Sequence, residues 1–317
     1  MRDEPTRADA PREDWMRWRC GYCSAPLEPR GADLYCAAEG RSFASLAGVH
    51  RLLPEHRRRE LSPYLELYNR VRRDEGWVAE AGLPEVPRGH RHEAIWRLRA
   101  RHFKTAITLA TARLGPGPWR VLEAGAGSAW ASVRLLDAGH QVVATDVNLD
   151  KADGLLAPNL FLTTPTVLPR AEAEMEVLPF APRLFDLVVV AGALHHTPRV
   201  GRALAEMGRV TRQGGLLLVI DSPVYRRRAD GDAMVAQRTE HLEHKYGIVI
   251  PRESQSGYLV IGELAGVFSA AGWSLEVHGW PRPAVELTRD LLEIAKHGRR
   301  TARFPVLVGT LARHLVT

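Results

Sequence analysis

Beyond Trp119 the chain alternates short, nearly unbroken apolar runs with stretches whose apolar residues recur at helical spacing. The runs predict strands near 120–124, 141–146, 170–175, 185–191, 215–221, 273–279 and 303–311. The intervening stretches predict helices near 129–138, 148–155, 199–212, 259–271 and 284–297. Strands that are apolar on both faces belong inside a sheet covered on both sides, and strand–helix alternation makes such a sheet parallel. The expected fold class is therefore α/β, with seven strands in a mostly parallel sheet.

Ahead of this region the pattern differs. Leu61, Tyr64, Leu65, Tyr68 and Val71 recur at helical spacing, and Ile95, Trp96, Leu98, Phe103, Ile107 and Leu109 form a second helical stretch. The segment Leu83-Pro84-Glu85-Val86-Pro87-Arg88-Gly89 separates them. Four regions follow: a polar tail over 1–16, expected to be disordered; a small Cys-bearing unit over 17–54; a helical cap or linker over 55–115; and the α/β domain over 116–317. Within the last, residues 223–257 are too long for a simple loop and read as an insertion over the active face.

Composition adds limits. The longest apolar run, Leu187 to Leu194, is too short to span a bilayer, and the polar start offers no signal peptide. The three cysteines lie in one short segment, so no disulfide framework is expected and a cytoplasmic location follows. A net charge of +6 comes from Arg far more than Lys. Biased codon usage explains that skew better than a nucleic-acid surface does, because the Arg residues are scattered apart from Arg57-Arg58-Arg59 and Arg226-Arg227-Arg228.

The first two strands end in acids, Glu123 and Asp146, and Gly125-Ala126-Gly127 follows the first. Small residues there let backbone approach a bulky ligand, in the crevice at the strands' carboxyl ends. A dinucleotide fingerprint would place a third Gly at position 130, where Trp130 stands. Glu123 also suits a cofactor carrying ammonium and sulfonium groups better than a pyrophosphate. Asp146 can accept hydrogen bonds from two ribose hydroxyls.

Taken together these residues resemble the class I S-adenosylmethionine (SAM)-dependent methyltransferases, over roughly 119–312. The resemblance implies a Rossmann-like fold, SAM as cofactor, and Glu123, Gly125 and Gly127 as the first motif, with Ala129 replacing its last Gly. It implies that Glu174-Met175-Glu176-Val177-Leu178-Pro179-Phe180 is the adenine-contacting segment, with Glu174 receiving the adenine amino group and Met175 lending its amide. Phe185 to His196, through Ala191, matches the strand and loop lining the methionine end. Glu206, Arg209, Gly214 and Gly215 match a further family stretch, with Gln213 where Pro is usual.

Cys20-x-x-Cys23 and Cys36 give three thiols, and Glu39 stands where a second Cys-x-x-Cys would end. Zinc sites take four such ligands, usually N or S, so Cys20, Cys23, Cys36 and Glu39 form the candidate structural zinc site. His50 is an alternative fourth ligand, and a ribbon that has lost its metal and survives on packing is the alternative to any zinc. Gly40 to Phe43 and Gly48 to Pro54 resemble the zinc ribbon of some bacterial methyltransferases, including ribosomal RNA guanine-N1 enzymes.

Methyl transfer from a sulfonium needs alignment, and a base only when the acceptor must lose a proton. Candidate groups are His196, Tyr225 and His241, with Asp221, His244 and Tyr246 also in or beside the insertion. A solvated helix face is the simpler account of His241 and His244, and His195 is expected to be structural. Tyr64, Tyr68 and Trp77 either cap the cofactor or pack in a core. The expected activity is methyl transfer to a small-molecule acceptor at O, N or C. Its alternatives are a ribosomal RNA base methyltransferase, for which the partner would be RNA, and a non-catalytic SAM-binding protein. No membrane partner is expected, and neither oligomeric state nor acceptor is legible.

Overall fold

Hydrophobic packing fixes the central sheet. In the computed structural model, which describes residues 15–80, 82–160, 162, 168–247, 257–280, 288, 290–291, 293–295 and 298–312, the strand cores are almost fully buried, except in the edge strand at 273–278, where Trp273 alone is buried. These are β6 (Arg120–Ala124), β7 (Gln141–Asp146), β8 (Arg170–Glu172), β9 (Phe185–Ala191), β10 (Thr211–Ile220), β13 (Trp273–His278) and β14 (Val306–Leu311). Their spatial order is β13-β14-β10-β9-β6-β7-β8, with β14 antiparallel to both of its neighbours and the rest parallel. The seven expected strands are thus present. The order reverses between β6 and β9, which opens a crevice above their carboxyl ends.

Two further strands join the same sheet from the N-terminal unit. β4 (Ser45–Leu46) and β5 (Val49–His50) form a hairpin, and β5 runs parallel to β8 with Val49 opposite Arg170. The sheet is therefore nine-stranded, two more than the sequence pattern indicates. A separate three-stranded sheet of β1 (Glu28–Arg30), β2 (Asp33–Cys36) and β3 (Arg41–Phe43) carries Cys36. Its Leu34 and Phe43 share a core with Trp18, Leu52 and Phe180. Trp18 lies 5.2 Å from the Phe180 ring, and the Arg19 amide donates to the Pro179 carbonyl. Residues 1–14 of the expected tail lie outside the described residues; Trp15 packs edge-on to Phe185, and Met16 is buried.

Helices α3 (Trp130–Asp137), α4 (Val200–Val210) and α6 (Ile261–Ala270) cover the sheet close to the expected positions. Two long helices, α1 (Glu55–Asp74) and α2 (Glu93–Leu114), precede it, and α5 (Arg228–Tyr246) lies in the insertion. The helix expected over 148–155 is absent. There the Asn148 side chain accepts from the Asp150 amide, and Asp150 accepts from the Ala152 and Asp153 amides, so side chains bind backbone that a helix would need. Of the expected helix over 284–297, residues 288, 290–291 and 293–295 are helical and the others lie outside the described residues. No helix among the described residues is long and apolar enough to cross a membrane.

Candidate active site

A cleft of about 560 Å³ opens over the carboxyl ends of β6, β7, β9 and β10. Its floor is the loop after β6. Gly125 and Gly127 both adopt left-handed backbone, with φ of 69° and 52°. The Gly125 and Ala126 amides donate to the Thr145 carbonyl, which holds the loop against β7. A Cβ on Gly125 would lie 2.5 Å from the Ala193 Cβ and 3.3 Å from the Met175 sulfur, so only glycine fits there. Ala129 also has left-handed backbone, at φ 53°.

Asp146 ends β7 at the cleft wall. Its Oδ2 accepts the Gly127 amide at 2.7 Å and its Oδ1 the Asn148 amide at 2.7 Å. Each oxygen keeps a second lone pair, which a ribose hydroxyl can use. Burial raises the Asp146 pKa, opposed by those amides.

Glu123 is fully buried under the first turn of α3 rather than on the cleft wall. Its Oε2 accepts the Ser132 amide and hydroxyl at 2.7 and 2.5 Å, whereas Oε1 has no partner among the described residues. Burial lifts its pKa to about 7. Glu174 likewise leaves the cleft: Arg57 holds both its oxygens, at 3.1 and 2.6 Å. Its neighbour Met175 does line the cleft, beside Ala173. Glu206 and Arg209 act at a distance. Glu206 accepts the Leu178 amide and Arg209 donates to the Leu178 and Phe180 carbonyls, fixing the turn that carries this segment.

Ala191, Gly192, Ala193, His195 and His196 continue the wall after β9. His195 is buried, with Nδ1 3.3 Å from the Ser222 hydroxyl, and desolvation pushes its pKa well below the usual range. His196 faces the N-terminal helices, where its Nδ1 lies 3.2 Å from the Tyr64 hydroxyl and its ring meets Tyr68 edge-on. Burial pushes the Tyr68 phenol up to about 12, and raises the Tyr64 phenol as well. Tyr225 is buried in β11 (Val224–Tyr225), packed edge-on to Tyr258, and lines the cleft with Met234, Arg238 and Leu242 of α5. His241 is exposed on α5, away from the cleft, and Tyr246 instead donates to Asp74.

Of the residues expected at the site, the fold brings together Gly125, Gly127, Asp146, Met175, Ala191, His196 and Tyr225; it does not bring Glu123, Glu174 or His241 to the wall. Sequence reasoning missed Arg99, which lines the cleft from α2, and His102 one turn on; it took Trp96 only as part of a packed helix. Trp130 blocks the dinucleotide arrangement, being buried against Trp96 and Phe103.

The residues present suit SAM. A glycine cradle that a Cβ would fill, spare Asp146 lone pairs and a polarisable Met175 sulfur surround the floor. Separately, the Cys20, Cys23 and Cys36 sulfurs lie within 4.8 Å of one another, with Cys23 and Cys36 3.6 Å apart. Three thiols so placed suit zinc. The exposed Glu39 is not in that group, and neither is His50, whose Nδ1 lies 2.7 Å from the Ser45 hydroxyl.

Comparison with known proteins agrees with this geometry. Residues 122–219 match the family model described as "Methyltransferase domain". Demethylmenaquinone methyltransferase of Mycobacterium bovis is 35% identical over 121 residues, which span 38% of this chain and 47% of that one. The ubiquinone/menaquinone biosynthesis C-methyltransferase UbiE of Rhizobium leguminosarum is 29% identical over 48% of this chain and 67% of its own. The chain thus spans about half the length of the first of these relatives. The fold is similar to that of the YcgJ protein of Bacillus subtilis, with a TM-score of 0.50 and 16% identity, over 68% of this chain and 99% of that one. The glycine cradle, the acids at the ends of β6 and β7 and the reversal of strand order between β6 and β9 agree with the match of residues 122–219 to a methyltransferase domain.

Proposed function

We propose that the protein transfers a methyl group from SAM to a small-molecule acceptor at O, N or C. One observation carries this reading. The cleft that contains the glycine floor is also walled by Tyr64 and Tyr68 of α1, Trp96 of α2 and Tyr225 of the insertion. Such walls suit a small acceptor held out of bulk water. The names of the quinone-pathway relatives support the same direction.

The sulfonium supplies the leaving group, so the chain's own work is positional. The 125–128 loop and Asp146 fix one ligand, and the α1–α2 side fixes the other. The reacting atoms must then meet at about 3–3.5 Å. The Cys20, Cys23 and Cys36 group would hold zinc as a structural element, remote from this chemistry.

A tritiated-methyl assay tests the reading. Protein is incubated with labelled SAM and either small-molecule extract or total RNA. Label in the extract is expected. Label in RNA alone overturns the small-molecule assignment, and label in neither overturns the enzyme assignment.

A further inference from the structure

The α2 side of the cleft carries a cation, Arg99, and faces a carboxylate, Asp221. Asp221 follows β10 directly and lines the cleft. Its backbone is left-handed, at φ 58°, a conformation unusual for a non-glycine residue and costly to hold. Asp221 Oδ1 lies 2.7 Å from His102 Nδ1. Oδ2 is buried and has no hydrogen-bond partner among the described residues. An unpaired buried carboxylate oxygen costs free energy unless something in the working complex donates to it.

Arg99 stands opposite. A Cβ built on Gly192 would lie 3.9 Å from the Asp221 Cβ and 4.0 Å from Arg99 Nη2, so the two side chains flank the same glycine. The guanidinium lies 4.7 Å from the Trp96 ring centre and 5.3 Å from that of Trp77. It makes no hydrogen bond or ion pair among the described residues, and burial lowers its pKa despite the nearby Asp221 charge. A part-buried cation beside two aromatic rings on the cleft wall suits an anionic ligand.

We infer that this wall docks a planar hydroxyaromatic acceptor, with an anionic substituent against Arg99 and a ring hydroxyl directed at Asp221 Oδ2. The inference rests on the methyltransferase reading above and names the class of its acceptor. Tyr64, Tyr68, Trp77 and Trp96 supply flat walls for the ring. Asp221 takes the hydroxyl proton as the acceptor's lone pair forms the new bond to the methyl carbon and the carbon–sulfur pair departs on sulfur. His102 is a positioning residue, holding the other carboxylate oxygen at 2.7 Å.

Three fluorescent probes separate the parts: 6-hydroxy-2-naphthoate, 2-naphthoate and 2-naphthol, titrated into full-length protein saturated with S-adenosylhomocysteine. The hydroxynaphthoate should bind at least 10-fold tighter than either partial probe. Arg99→Met should weaken both carboxylates at least 10-fold and leave naphthol unchanged. Asp221→Asn, which tolerates the left-handed backbone, should weaken the two hydroxyl-bearing probes about 5-fold and naphthoate less than 2-fold. His102→Gln should produce a smaller loss of the same selectivity. S-adenosylhomocysteine affinity should stay within 2-fold in all three variants. No binding of any probe, or equal binding of all three, overturns the inference. So does an Arg99→Met variant that loses S-adenosylhomocysteine and keeps naphthoate, because Arg99 would then belong to the cofactor. Failure of wild-type protein to bind S-adenosylhomocysteine at all would instead sink the methyltransferase reading.

Discussion

The Tyr64 hydroxyl lies 3.2 Å from His196 Nδ1, joining α1 to the loop after β9 across the cleft. One partner belongs to the N-terminal helices and the other to the methyltransferase core, so the contact fixes the cleft's width. Tyr64→Phe removes the hydroxyl and keeps the ring. Methyl transfer should fall about 10-fold, consistent with losing one hydrogen bond worth about 1 kcal/mol or slightly more. SAM affinity, followed by calorimetry, should change less than 2-fold. Equal losses in both would place Tyr64 at the cofactor.

Asp146 combines two tasks. It caps the Gly127 and Asn148 amides, and it offers lone pairs to a ribose. Asp146→Ala should weaken S-adenosylhomocysteine binding by about 1–3 kcal/mol and also lower the melting temperature of the free protein. Unchanged affinity by calorimetry refutes the ribose assignment.

Glu123 makes stability depend on pH. Its folded pKa, about 7, lies above the ordinary 4.5, because burial disfavours the charged form. Between those values the folded state keeps a proton that the unfolded state has lost. Stability therefore falls as pH rises from 4.5 to 7, and the penalty is complete above 7. At 1.36 kcal/mol per unit the loss is about 3 kcal/mol. Glu123→Gln should flatten this part of the pH–stability curve in chemical denaturation without cofactor. A curve that keeps its slope in the variant would assign the dependence to other groups.

The ribbon unit is clamped by Glu172, which is buried and meets Arg51 and Arg58 at 3.1 and 3.0 Å. Replacing Glu172 with Ala leaves two part-exposed arginines that water can solvate. Arg51→Ala together with Arg58→Ala strands the buried carboxylate, and should cost about 3–5 kcal/mol. The double variant should be the less stable in urea, and limited proteolysis should cut it first between residues 17 and 54. The reverse order would show that the clamp contributes little.

Metal analysis of protein prepared without chelator should find close to one zinc per chain. Cys20→Ser with Cys23→Ser should abolish it, because structural zinc needs its thiolates. A metal-free wild type would mean that the ribbon stands on packing alone.

What could be read in advance follows from range along the chain. Strands β6, β7 and β9 were legible because each is an apolar run buried on both faces, and the acids ending the first two marked the crevice. Residues 148–155 misled, since their spacing is helical while Asn148 and Asp150 bind backbone locally. The pairs Arg57–Glu174 and Arg58–Glu172 join residues over a hundred positions apart, and no local pattern announces them. For the same reason Glu174 reads as an adenine ligand in sequence and as an ion-pair partner in space. His102 and Arg99 carried no motif; only the left-handed turn at Asp221 and the packing of α2 give them a site.

The pairing of β5 with β8 has a consequence for biosynthesis. Val49 and His50 meet Arg170 and Ala171, so the first-made edge has no neighbour until some 120 residues later have emerged. At about 5–20 residues per second, that interval is on the order of ten seconds. Through it, the nascent chain carries an open strand edge and three free thiols. Capture of zinc during translation would close the sulfur cluster well before the sheet is there to receive it.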